Sequence, residues 1–182
     1  SERRGLQEGV RLTPTFNWPQ ERLGYVIGGG MGALMQSVEG AEDHTDEGQT
    51  AVTNAAINDK DVVIGLAASG TTAFTISVLA AARQQGALTI GISNNRQTPL
   101  LDAAEYPILL ETGGEVLAGS TRLKAGTAQK ICLNTISTLV MARLGRIKNG
   151  LMVAMKPTNA KLVRRKEQMD EYLAKVTDHM TN

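Results

Sequence analysis

Cysteine is nearly absent: Cys132 stands alone in 182 residues, so no disulfide can close within the chain. It sits in the apolar pattern Ile131-Cys132-Leu133, which predicts a buried, inert thiol rather than a nucleophile. Aromatic residues are equally sparse at 3%, while 42% of residues are hydrophobic, so any core is built from Ala, Val, Leu, Ile and Met. No excess of one charge exists either: 19 Lys and Arg face 18 Asp and Glu. That balance excludes the basic face on which non-specific nucleic-acid binding depends. The one local basic run, Lys161 to Lys166, is followed by Glu167 and Asp170 and reads as a solvated helix face. No apolar run approaches the roughly 18 residues of a membrane span, and no secretory hydrophobic region is visible, so a cytoplasmic protein is expected. The two histidines, His44 and His179, have no companions at metal-ligand spacing, and no metal site is expected.

What is present is alternation. Leu23–Ile27, closed by three glycines, reads as a strand, and Met31 to about Ile57 as helical with a break near Glu39–Glu47. Asp61–Ala67 is a continuous apolar run of the kind that parallel sheets bury on both faces. A helix to about Gln85 follows, capped by Gly86, then a strand at Leu88–Ser93, a short helix near Pro99–Ala104 and a strand at Tyr106–Leu110. A long apolar helix is expected from Ile131 to Leu144 and a charged one from about Asn159 to Val176. Strand–helix alternation predicts an α/β/α three-layer fold on a parallel sheet. One domain over residues 1–150 with a helical C-terminal extension over 151–182 is expected.

Two stretches have the makings of an anion site. Gly114 to Lys130 sets Glu115, Ser120, Thr121, Arg122, Lys124 and Lys130 around a helix start. Helix starts attract anions because their first N–H groups lack intrahelical partners and the dipole favours negative charge. The turn Ala67-Ala-Ser-Gly-Thr-Thr72 follows a strand and opens a helix, so Ser69, Gly70, Thr71 and Thr72 could seat a phosphate at the carboxyl end of the sheet. A plain small-residue turn with an N-cap would read the same way. No lysine follows at Walker spacing, and Gly28-Gly-Gly30 lacks the dinucleotide fingerprint. Glu39, Glu42 and Asp43 cluster, and Glu39 and Glu42 would share one face of a helix. Crowded carboxylates suit a general base, but exposed acidic helices are common.

The combination of Leu12-Thr-Pro-Thr-Phe16, Val38-Glu-Gly-Ala-Glu-Asp43, Ala67-Ala-Ser-Gly-Thr71 and Gly119-Ser-Thr-Arg-Leu-Lys-Ala-Gly-Thr-Ala-Gln-Lys130 resembles the N-acetylmuramic acid 6-phosphate etherases. With the glucokinase regulatory proteins, these form a branch of the sugar isomerase (SIS) domains. The resemblance implies a five-stranded parallel sheet in flavodoxin-like order, a phosphosugar substrate, a homodimer, and no metal or other cofactor. It implies a lyase that releases D-lactate from the sugar by elimination and rehydration. Glu42 matches the base; Ser69, Gly70 and Thr71 match the second phosphate loop; Ser120, Thr121, Arg122 and Lys124 match the wall beside the sugar.

Two departures stand out. The family's second catalytic glutamate falls at Arg11, whose guanidinium cannot donate a proton near neutral pH. Glu8, three residues away, could replace it only if the loop were rebuilt. The first phosphate loop survives as Ser1-Glu2-Arg3, in which Ser1 and Arg3 match and Glu2 would repel a phosphate. On this resemblance the first strand of the sheet, central between Leu23–Ile27 and Asp61–Ala67, is missing, and residues upstream of Ser1 are expected to supply it. A non-catalytic phosphosugar sensor or regulator is the alternative function, and Arg11 is its argument; an aldose–ketose isomerase fits less well.

Overall fold

The computed structural model describes residues 1–36 and 38–181; the side chains of Glu2 and of residues 177–181, His179 among them, also lie outside the described set. The elements are α1 (Glu2–Phe16), α2 (Thr45–Asn54), β1 (Val62–Leu66), α3 (Ala73–Gln84), β2 (Leu88–Ser93), α4 (Pro99–Ala103), β3 (Tyr106–Leu109), α5 (Lys124–Arg143) and α6 (Ala160–Thr181). Single 3-10 turns at Gln20–Arg22, Met31–Leu34 and Ala41–Asp43 link them. The chain divides into two compact units, Ser1–Gln7 with Gly24–Leu133, and Glu8–Leu23 with Asn134–Asn182.

The first unit is the α/β one. Its sheet is parallel in the order β1-β2-β3, with Val62 opposite Leu88 and Ile90 opposite Tyr106. The three apolar runs become strands within one residue of their expected ends. Phe74, Val78 and Ala82 face one way from α3 and pack with Val52, Ala87, Val26 and Val63. Leu79 packs instead with Ala67, Leu100 and Ala104. Leu79, Ala82 and Leu100 are wholly buried, and burying each large aliphatic side chain contributes about 1.5–3 kcal/mol. The contact of α2 with α3 depends on Gly48, where an added Cβ would overlap Ser77 Oγ and approach Phe74 O to 2.9 Å.

Three expectations change here. Leu23–Ile27 is not a strand: a strand needs a ladder partner, and among the described residues none stands between this segment and β1. Its apolar side chains are nonetheless used, Ile27 being buried and Val26 packed on the core. The implied five strands are therefore three among the described residues. Within Met31–Ile57 the α-helix runs only from Thr45 to Asn54, preceded by the 3-10 turns, and Gly40 at φ 74 breaks the segment where an interruption was expected. Lastly, residues 2–16 form a helix that the polar, glycine-bearing sequence did not announce.

In the second unit, the later residues of α1 end in a left-handed (αL) cap. Asn17 takes φ 52, its N–H donates to Thr13 O and that of Trp18 to Leu12 O. Arg146 closes this end, with Nη1 donating to Phe16 O at 2.6 Å and Asn17 O at 2.7 Å while the guanidinium lies 5.2 Å from the Trp18 ring centroid. Asn149-Gly150, both at positive φ, turn a small hairpin in which Lys148 and Leu151 exchange backbone hydrogen bonds. On α6, Lys166 pairs with Asp170 at 2.9 Å, as a solvated face should. No helix among the described residues is long and apolar enough to cross a membrane.

Candidate functional site

The site candidate lies in the first unit, where the turns leaving β1 and β2 meet the N-terminal residue and α5. At the end of β1 the chain turns through Ala67–Thr72 into α3. Gly70 takes φ 72, and its backbone lies so close to its neighbours that a Cβ would overlap Thr98 Oγ1 and stand 2.6 Å from Ser93 Oγ. The turn is tied to the loop after β2: Gly70 O accepts Leu100 N–H, and Ala68 O accepts both Asn94 N–H and Asn95 Nδ2. Thr98 Oγ1 is buried there with no hydrogen-bond partner among the described residues.

Within the turn, Ser69 and Thr71 are exposed, and Ser69 Oγ accepts from Thr71 N–H at 3.2 Å and Thr71 Oγ1 at 3.1 Å. Thr72, the N-cap of α3, is extended and makes no side-chain capping bond. The first N–H groups of α3 thus lack the usual cap oxygen from that side chain.

The start of α5 is different. This helix opens at Lys124, seven residues before the expected Ile131, and the Gly119–Thr121 segment stands ahead of it. Glu115 reaches across to accept Lys124 N–H at 3.1 Å and Ala125 N–H at 2.9 Å. The bond from Ala125, with that from Lys124 and the nearby Lys124 charge, holds the Glu115 carboxyl below its usual range. The anion position at this helix start is therefore filled by the chain's own carboxylate. Ser120 is half-buried; Thr121, Arg122 and Lys124 are exposed beside it.

Ser1 joins the two regions. Its Oγ accepts Ala68 N–H at 3.0 Å and Gln129 Nε2 at 3.1 Å. Gln129 is 1% exposed, and its Nε2 also donates to Asn94 Oδ1 at 3.0 Å. Asn94 Nδ2 in turn donates to Leu110 O at 3.0 Å. Gln129 and Asn94 escaped the sequence reading, since an amide inside a helix or at a strand end carries no signal until its partners are known. Along the same edge Arg96 grips Glu111 through two contacts of 2.5 and 2.6 Å.

Glu42 stands exposed on the turn Ala41–Asp43, with Ala41 buried beneath it. Glu39 does not share a helix face with it, because Gly40 between them is left-handed at φ 74. Arg11 is exposed on α1 in the second unit, where Glu8 is committed to Asn134 Nδ2 and, at 2.6 Å, to Ser137 Oγ. Cys132 is half-buried, and that burial pushes its thiol up, away from nucleophilic use. No cluster of three metal-binding side chains occurs among the described residues.

Known proteins align with this arrangement. Residues 10–83 match the model of the glucokinase regulatory protein N-terminal SIS domain. The chain is 48% identical over 94% of its length to the N-acetylmuramic acid 6-phosphate etherase of Deinococcus radiodurans, covering 56% of that protein. It is 43% identical over 97% of its length to the enzyme of the same name from Staphylococcus aureus USA300, covering 59% of it. The chain thus spans a little over half the length of these relatives. The chain is thus similar along nearly its whole length to N-acetylmuramic acid 6-phosphate etherases, and over residues 10–83 to an SIS domain.

Proposed function

We propose that this chain acts as an N-acetylmuramic acid 6-phosphate etherase, a carbon–oxygen lyase of amino-sugar catabolism and cell-wall recycling. The observation that carries the reading is the junction of Ser1 with the Ala67–Thr72 turn, since Ser1 Oγ is bonded to Ala68 N–H. That junction unites the two segments that resemble phosphate loops, beside an α3 start that Thr72 leaves uncapped. Ser1, Ser69, Gly70, Thr71 and Thr72 would hold the phosphate. Ser120, Thr121, Arg122 and Lys124 would border the sugar, and Glu115 would hold that wall in place from the start of α5.

Glu42 is the proposed base. Its carboxylate takes the proton from sugar C2, the C3–O bond breaks, and the lactyl oxygen leaves with the electron pair and gains a proton. Water then adds across the C2–C3 double bond, its hydroxyl to C3 while protonated Glu42 returns a proton to C2, giving N-acetylglucosamine 6-phosphate and D-lactate and restoring the carboxylate. The elimination requires no metal or other cofactor. Arg11 cannot be the proton donor, so solvent protonates the departing oxygen and turnover is slow. The lyase reading is favoured over a non-catalytic regulator because the relatives that match along nearly the whole chain carry the etherase name. A cytoplasmic homodimer belongs to the same proposal.

The test is enzymatic assay of D-lactate released from N-acetylmuramic acid 6-phosphate. The wild-type chain is expected to release it and Glu42→Gln to reduce release at least a hundredfold, in line with the loss of a general base. No release by the wild-type chain would overturn the lyase reading.

A further inference from the structure

Gln129 spends two donors and strands an acceptor. Both hydrogens of Nε2 are committed, one to Ser1 Oγ and one to Asn94 Oδ1. The orientation of the amide is fixed from outside: Asn94 Nδ2 is engaged by Leu110 O, which turns Asn94 Oδ1 toward Gln129. Gln129 Oε1 is left buried with no hydrogen-bond partner among the described residues. A buried acceptor without a partner carries its full desolvation cost, and an apolar side chain of similar volume would avoid it. Packing alone would therefore not call for glutamine at this place.

Ser1 is where the two donors matter. Its hydroxyl oxygen has two lone pairs, and both are engaged, by Ala68 N–H and by Gln129 Nε2. A serine held in this way presents its hydroxyl as a donor and not as an acceptor, which is the polarity a phosphate oxygen requires. Without Gln129 the hydroxyl could rotate and accept as readily as donate.

We propose that Gln129 is a positioning residue for anion binding, fixing the Ser1 hydroxyl as a hydrogen-bond donor to the phosphate of the sugar and holding the Asn94 loop against it. This rests on the phosphosugar reading above. Gln129 touches no substrate; it acts through Ser1.

The experiment is titration calorimetry of the whole chain with N-acetylglucosamine 6-phosphate, and with unphosphorylated N-acetylglucosamine as control. Wild type, Gln129→Leu, Gln129→Met, Ser1→Ala and the Ser1→Ala/Gln129→Leu double variant are compared. Gln129→Leu is expected to weaken phosphosugar binding roughly tenfold, about the worth of one hydrogen bond to a charged group. In the Ser1→Ala background the same change should cost less than twofold, because the group it orients is gone. Full additivity would overturn the proposal, since a purely structural role weakens binding whether or not Ser1 is present. Unchanged binding by a folded Gln129→Leu or Gln129→Met would do so too, with the phosphosugar reading left standing. If Leu does not fold, the Met variant carries the comparison, and failure of both to fold would assign Gln129 to the core and overturn the proposal. A wild-type chain that binds no phosphosugar would overturn the reading beneath it and this inference together.

Discussion

Glu115 accepts a hydrogen bond from the backbone N–H of Ala125, ten residues on, and so closes the start of α5 with a carboxylate from the loop before it. The bond favours the ionised form, which is why the carboxyl titrates below its usual range. A carboxyl with a depressed folded-state value adds stability above its unfolded value and loses it as the pH falls through the folded one. Thermal melts of Glu115→Gln should therefore lie a few degrees below wild type at pH 7, with the gap narrowing as the pH drops into the carboxylate range. A gap that stays constant with pH would mean the charge plays no part.

Gly70→Ala is expected to destabilise the chain by roughly 2–5 kcal/mol, combining the penalty for a left-handed alanine with overpacking. The new Cβ would overlap Thr98 Oγ1 and press on Ser93 Oγ. Urea denaturation would measure this. Because the displaced atoms belong to the candidate site, phosphosugar affinity should fall as well, and a stable variant with wild-type affinity would remove Gly70 from the site.

Arg11→Glu places a carboxyl where the resemblance to the etherases implies a second catalytic glutamate. D-lactate release should rise by roughly 10²–10⁴-fold, the usual range for a general acid. Binding of N-acetylglucosamine 6-phosphate should change far less. If release does not rise, protonation of the leaving oxygen is not what limits this chain.

Arg146→Ala removes the cation from the end of α1, leaving the carbonyls of Phe16 and Asn17 without it and the Trp18 ring uncovered. Charge-assisted hydrogen bonds and a cation–π contact together suggest a loss of about 2–3 kcal/mol, or a melting temperature lower by roughly 5–10 °C for a chain this long. Arg146→Lys should recover only part of it, because an ammonium lacks the planar fork. Full recovery with lysine would mean that charge alone suffices there.

What the sequence by itself determined is local and periodic. The continuous apolar runs at Val62–Leu66, Leu88–Ser93 and Tyr106–Leu109 became the parallel strands, and Gly86, at φ 84, follows the end of α3 where expected. The turn Ala67–Thr72 was legible as a turn, because a small-residue run with a glycine between a buried strand and a helix marks where the chain reverses, and Gly70 indeed takes φ 72. Tertiary structure decided whatever depends on a distant partner. Leu23–Ile27 has strand composition, yet among the described residues no neighbour completes its ladder and it forms no strand. Glu115 could have faced a ligand or a helix start, and only the fold gave it the N–H groups of Lys124 and Ala125. The link from Ser1 through Gln129 to Asn94 joins residues up to 128 positions apart, a separation that no local pattern encodes.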